Sequence, residues 1–248
     1  MASLSPLWSV PPETIRLSDH EVHIWRAHLD RPKATVEQLL GSLSTDERSR
    51  AERFYFQKDQ GHFIVARGLL RAILSRYLSI DPKQLCFAYN EYGKPALSQD
   101  FGRYCLHFNL SHADGLALFA ITKEREIGID LERLRPGFAN CEIAERFFSS
   151  QEVRVLRGLP DYLQEEAFFT CWTRKEAYIK AKGEGLSIPL DQFEVSLAPG
   201  QPASLLKTYW DPQEASRWSL RELYPGLGYV AAVAARGDDW QLKYWQWR

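Results

Sequence analysis

Four cysteines among 248 residues, Cys86, Cys105, Cys141 and Cys171, form no Cys-x-x-Cys pair. That is too little for a disulfide framework, a zinc knuckle or a dithiol redox motif. They are expected as buried thiols, since free cysteine behaves mostly as a small core residue. Apolar runs are short, residues 116–121 being one, whereas a bilayer span takes roughly 20 residues. Neither sign of charge dominates: 31 basic against 32 acidic side chains leave a formal net charge of −1. A whole-chain field that gathers nucleic acid or anionic membrane is thereby excluded, and a local basic site remains open. The first residues lack a basic start followed by an apolar core and a small-residue cleavage site, so no secretory signal is read and a cytoplasmic location is expected. What is present, 45% apolar and 25% charged residues, describes a water-soluble globule of one large domain or two small ones.

Residues 1–18 carry Pro6, Pro11 and Pro12 and read as an extended lead-in. Alternation over residues 21–26 predicts a strand. Ser44 with Glu47 has the spacing of a capping box and opens a helix expected to reach Phe56. A second helix is predicted over residues 61–77, with Ala66, Leu69, Leu70, Ile73 and Leu74 on one stripe, ended by Asp81-Pro82. Strands follow at 85–89, 105–109, 116–121 and 126–131. Ser149 and Glu152 repeat the capping-box spacing, and a long helix over 162–182 is stopped by Gly183 and Gly185. Further strands are expected at 193–197, 218–223, 229–234 and 240–244. Strand, helices, strands, and then the same order again, indicate an α+β protein of two similar halves. The charged stretch 122–126 is the expected junction, giving an N-terminal half over 1–123 and a C-terminal half over 124–248 with a strand-rich tail.

In Gly128-Ile129-Asp130-Leu131-Glu132, strand alternation turns Asp130 and Glu132 to one face and Ile129 and Leu131 to the other. Two hard carboxylates on one face suit magnesium; the alternative is a solvated strand edge. In the helical run Trp172-Thr173-Arg174-Lys175-Glu176-Ala177-Tyr178-Ile179-Lys180, Glu176 and Lys180 are four apart and therefore neighbours, which by itself also describes a surface ion pair. Phe108-Asn109-Leu110-Ser111-His112 places a hydroxyl and an imidazole after an apolar strand. No nucleophile elbow or acid partner accompanies them, so acyl hydrolysis is set aside. Ser111 and His112 read either as donors to anionic oxygens or as buried structural groups. Tyr92-Gly93-Lys94-Pro95 is a turn holding one lysine, without the frame of a P-loop. Arg48, Arg50 and Arg53 cluster on an early helix, as a site for a terminal phosphate or as a solvated face.

In order, GKPAL, FNLSH, GIDLE and WTRKEAYIKAKGEGL resemble the signature blocks of the 4′-phosphopantetheinyl transferases, in the larger Sfp-type branch, over residues 44–197. The resemblance implies a pseudo-twofold monomer with coenzyme A in the cleft between its halves. It implies Asp130, Glu132 and Glu176 as magnesium ligands, Glu176 also as the base for an incoming serine hydroxyl, and Lys180 beside the pyrophosphate. Lys94, Ser111 and His112 match phosphate contacts. At the 3′-phosphate position Glu47 stands where relatives are basic, so Arg53, or else Arg48 or Arg50, would substitute. The implied reaction moves phosphopantetheine from coenzyme A to a serine of an apo acyl, polyketide or peptidyl carrier protein. A non-catalytic coenzyme A- or carrier-binding protein, and a magnesium-dependent phosphodiesterase, remain alternatives. Phe138, Phe147 and Phe148 are candidate carrier contacts, with core packing as their other reading.

Overall fold

The computed structural model describes residues 8–135, 137 and 141–248. Its elements are β1 (Glu21–His28), α1 (Lys33–Leu40), α2 (Thr45–Ala51), α3 (Gln57–Leu78), β2 (Phe87–Tyr89), β3 (Pro95–Leu97), β4 (Leu106–Ala113), β5 (Leu116–Lys123) and β6 (Ile127–Arg133). There follow α4 (Cys141–Phe147), α5 (Ser150–Arg157), α6 (Asp161–Lys182), β7 (Phe193–Val195), β8 (Leu205–Thr208), β9 (Trp218–Leu223), β10 (Tyr229–Arg236) and β11 (Gln241–Gln246).

Two sheets, in the orders β11-β1-β5-β4 and β6-β10-β9, form the middle of the molecule. Strand alternation assigns their faces. Phe119 and Ile121 of β5 meet Leu70 and Leu74 of α3 in one core, whereas Leu118 and Ala120 meet Ile129, Leu131, Ala231 and Val233 in another. The opposite face of β10, with Ala232 and Ala234, packs on Phe168, Tyr178 and Ile179 of α6 in a third. The layers therefore run α3, sheet, sheet, α6. Burial on both faces explains the near-continuous apolar sequence of β5 and β10. Each half sets one 22-residue helix against its sheet, the α+β design expected of both halves.

Several boundaries differ from expectation for local reasons. The helix opened by Ser44 keeps its capping box but ends at Ala51, and α3 begins at Gln57. Ser79, in the left-handed conformation (φ 55°), ends α3 before Asp81 is reached; Asp81 instead accepts from the Lys83 amide at 2.8 Å and caps a short 3-10 turn. Gly183 ends α6 at φ 77°. The cysteine expectation needs correction: Cys171 is buried, but Cys86 and Cys105 are exposed. Cys105 follows a surface 3-10 turn in a left-handed conformation that directs it off the core. The Cys141 side chain, and the lead-in over residues 1–7, lie outside the described residues.

The chain's last strand returns to the first sheet, where β11 pairs with β1 in parallel, Ile24 opposite Tyr244. A polar relay lies alongside. Trp25 Nε1–H donates to the Tyr77 oxygen at 2.8 Å, which leaves the Tyr77 hydroxyl hydrogen for His23 Nδ1, also at 2.8 Å. His23 Nε2–H then donates to Glu21 at 3.1 Å, and Glu21 pairs with Lys243 of β11 at 2.5 Å. Burial of His23 holds its pKa at about 4. Glu21 is held at about 2: burial opposes ionisation, but the bonds from Lys243, the Ser18 amide and His23 outweigh it.

Between pH 6.5 and 4 the unfolded chain binds a proton at His23 that the folded chain refuses, so stability falls as pH is lowered through that window. The depressed pKa corresponds to about 3 kcal/mol, present in full above pH 6.5. His23→Gln is expected to remove this part of the pH dependence in chemical denaturation at pH 7.5 and 4.5. A wild-type slope in that variant would contradict the relay.

Candidate active site

Alternation on β6 settles where its carboxylates go. Ile127, Ile129 and Leu131 enter the central core between the sheets, so Gly128, Asp130 and Glu132 face the α6 side. A methyl group at Gly128 would lie 2.1 Å from the Ala177 carbonyl oxygen and 2.3 Å from the Ala181 nitrogen. The helix backbone rests directly on the strand there, a close approach that only glycine permits. From this same turn of α6, Lys180 Nζ reaches Asp130 Oδ1 at 2.5 Å and the Ser111 hydroxyl oxygen at 3.2 Å. Ser111 in turn donates to Asp130 Oδ1 at 3.0 Å. Ser111, Asp130 and Lys180, which come from three separate motifs, thus meet at one point.

The other Asp130 oxygen, Oδ2, is buried without a hydrogen-bond partner. Glu132 is pushed up to about 7, first by burial and then by the Asp130 charge, with Lys180 and Arg135 opposing. Glu176 is raised by the same two causes in the same order, again opposed by Lys180. Carboxylates that resist ionisation beside one another, with one buried oxygen unsatisfied, are a donor set suited to a hard divalent cation. Among the described residues no three His, Cys, Asp or Glu side chains are already drawn together as a metal cluster, and Lys180 occupies Asp130 Oδ1 in this conformation.

His112 and Glu132 line one cleft of about 390 Å3 together with Lys58, His62, Arg135 and Phe54. Burial, then the neighbouring His62 and Lys180 charges, hold the His112 imidazole below its usual pKa. Phe54 also borders a second cleft of about 640 Å3 that contains Arg50 and Arg53. Arg48 is turned back onto the Leu43 and Gly41 carbonyls. Glu47 is buried between Arg71 at 2.7 Å and Arg67 at 3.2 Å, which accounts for an acid at that position. Lys94 lies elsewhere: its ammonium donates to the Ala181 carbonyl at 2.8 Å and the Ile127 carbonyl at 3.1 Å, and burial lowers its pKa to about 8. Beside it, Asn90 donates to the Gly183 carbonyl at 2.6 Å. The turn of the first half therefore caps the C-terminal end of α6, where carbonyls lack helical partners.

Of the aromatic residues considered for carrier contact, Phe148 is 3% exposed and packs on Phe168 in the core of the second half, and Phe147 lies edge-on to Trp172. Phe148 belongs to that core, and Phe147, half-buried, packs against it. Phe138 lies outside the described residues. Lys175, fully buried, pairs with Glu152 at 2.8 Å and donates to the Leu190 and Phe193 carbonyls, fastening α6 to α5 and β7. Sequence reasoning missed His62, Lys58 and Arg135 as cleft residues, and the packing role of Gly128. For Gly128 the signal was available, a glycine two residues before the first carboxylate on the same strand face.

The model of the 4′-phosphopantetheinyl transferase N-terminal family matches residues 17–124, and that of the 4′-phosphopantetheinyl transferase superfamily matches residues 126–234. The 4′-phosphopantetheinyl transferase HetI of Nostoc sp. is 44% identical over 244 residues, 98% of this chain and 100% of its own. The 4′-phosphopantetheinyl transferase Sfp of Bacillus subtilis is 32% identical over 218 residues, 87% of this chain and 93% of its own. The crystal structure of holo-[acyl-carrier-protein] synthase from Thermotoga maritima matches 45% of this chain and 62% of its own, at 20% identity and a TM-score of 0.37. The relatives give no support to a non-catalytic binder or a phosphodiesterase. With named transferases aligned over most of the chain and two family models in tandem, this protein belongs to the 4′-phosphopantetheinyl transferase superfamily and is an enzyme of that class.

Proposed function

We propose that the cluster of Asp130, Glu132, Glu176 and Lys180 is where the phosphopantetheine arm of coenzyme A passes to a serine hydroxyl of an apo carrier protein. The observation that carries this reading is the buried, unpartnered Asp130 Oδ2 beside two carboxylates of raised pKa. Magnesium, held by Asp130, Glu132 and Glu176, would supply charge neutralisation for the pyrophosphate oxygens. Glu176, a carboxylate beside Asp130 and Lys180, takes the serine proton as the hydroxyl oxygen bonds to phosphorus. The bond from that phosphorus to the bridging oxygen breaks, and adenosine 3′,5′-bisphosphate leaves. Lys180 neutralises the charge developing on the leaving phosphate, a role in which alignment and electrostatics supply most of the catalysis.

His112 N–H, and Ser111 O–H once it releases Asp130 Oδ1, serve as donors to the phosphates, and Arg53, which lines one cleft with Arg50, takes the 3′-phosphate. Lys94 is the remaining candidate phosphate contact, and to act as one it must release the Ala181 and Ile127 carbonyls. The reading includes acyl, polyketide and peptidyl carriers as acceptors and a monomer acting in the cytoplasm. No helix among the described residues is long and apolar enough to cross a membrane, and the near-zero net charge gives nucleic acid no general attraction.

Incubation with coenzyme A, magnesium and an apo carrier tests the reading by mass spectrometry of the carrier. A carrier heavier by one phosphopantetheinyl group, dependent on its serine and on the metal, is expected. An unmodified carrier, or coenzyme A cleaved without an acceptor, would contradict it.

A further inference from the structure

The strand that delivers Asp130 and Glu132 lies at the edge of its sheet. β10 pairs with one side of β6, and among the described strands none hydrogen-bonds to the other side. That outer edge is buried against β4, and a buried amide without an acceptor costs about as much as a lost hydrogen bond. Two side chains of β4 take the place of a neighbouring strand. Ile129 N–H donates to Asn109 Oδ1 at 2.9 Å and Leu131 N–H to Ser111 Oγ at 3.3 Å. Outward amides on a strand edge and side chains on a strand face both recur every second residue. Asn109 and Ser111 are therefore spaced to meet Ile129 and Leu131.

The two rungs differ in use. Ser111 is divided among the Leu131 amide, Asp130 and Lys180. Asn109, 7% exposed, presents its oxygen to the amide of the residue just before Asp130. We infer that Asn109 is a positioning residue for phosphopantetheinyl transfer: through the Ile129 N–H it fixes β6 against β4, and so sets where Asp130 places its carboxylate between Ser111 and Lys180. Without that acceptor the Ile129 amide must seek another partner and the strand moves with it. A displacement on the order of 1 Å at a reacting centre costs about a hundredfold in rate. The inference rests on the reading of Asp130 as a site carboxylate.

Two alterations remove the rung from opposite sides. Asn109→Leu keeps the volume and deletes the acceptor; an ester in place of the Ile129 peptide N–H, introduced as the α-hydroxy acid, deletes the donor and leaves every side chain intact. Each is expected to lower kcat about 10- to 100-fold, and the two together little more than either alone, because they break the same bond. Hydrogen exchange should accelerate within residues 128–132 of Asn109→Leu and stay at the wild-type rate within residues 116–121. A wild-type kcat in the ester variant, multiplicative losses in the double variant, or faster exchange throughout the chain would overturn the inference. Should Asn109→Leu fail to fold, the ester variant decides alone. Full turnover by Asp130→Ala would sink the reading of the site itself, whereas an inactive Asp130→Ala beside an unimpaired ester variant would sink this inference only.

Discussion

Asp130→Ala is expected to lower carrier modification by at least about a thousandfold while leaving the fold in place. The figure follows from the several kcal/mol of charge stabilisation that a bound divalent cation contributes to phosphoryl transfer, each 1.4 kcal/mol being about tenfold in rate. The fold is expected to survive because Asp130 lies outside the central apolar core, which Ile129 and Leu131 form on the opposite face of β6. Burial is the main cause that raises Glu132 and Glu176, and removal of the Asp130 carboxylate relieves the second, its charge, so neither is further strained. Glu176→Gln is expected to match this loss, since it deletes both a metal ligand and the proton acceptor. Single-turnover transfer to an apo carrier, read beside circular dichroism, measures both properties. Near-normal turnover in either variant would remove the metal assignment.

Gly128→Ala carries the second large effect, and here both stability and rate should fall. The added methyl would stand 2.1 Å from the Ala177 carbonyl oxygen and 2.8 Å from the Lys180 carbonyl carbon. These are backbone atoms, so no side chain can turn aside to make room. Either β6 or α6 must shift, and overpacking of this kind costs about 3 kcal/mol or more. Because the same helix turn carries Glu176 and Lys180, and the same strand carries Asp130, separating the two elements also opens the site. A kcat lower by about a hundredfold is expected even in the folded fraction. The urea midpoint and kcat, measured on the same preparation, test this. An alanine variant with wild-type values for both would show that the close approach is not required.

Much of the site was legible because it depends on local periodicity. Alternation in Gly128-Ile129-Asp130-Leu131-Glu132 fixes which face holds the carboxylates, and helical spacing brings Glu176 within reach of Lys180. The two capping boxes, at Ser44 and Ser149, are local rules as well, and both are present. What escaped depends on contacts between distant segments. Nothing near Gly128 in the sequence says that a helix fifty residues later will rest on it. Asn109 reads as an ordinary polar residue on a strand until β6 is placed beside β4. Lys94 reads as a lysine held on a turn for a phosphate, and its engagement with two carbonyls follows only from the way the halves close. The return of β11 to β1 is equally non-local, and only the finished sheet shows that the tail extends it. Cys86 and Cys105 were misread for a related reason: residue type predicts average burial, while their exposure follows from a short hairpin and a surface turn.

The most direct test of the metal site is an anomalous-difference map from crystals grown with manganese and coenzyme A. One peak bounded by the carboxylates of Asp130, Glu132 and Glu176, with Lys180 withdrawn from Asp130 Oδ1, is the expected result. Manganese bound elsewhere, or those three side chains turned away from any shared point with coenzyme A in place, would contradict it.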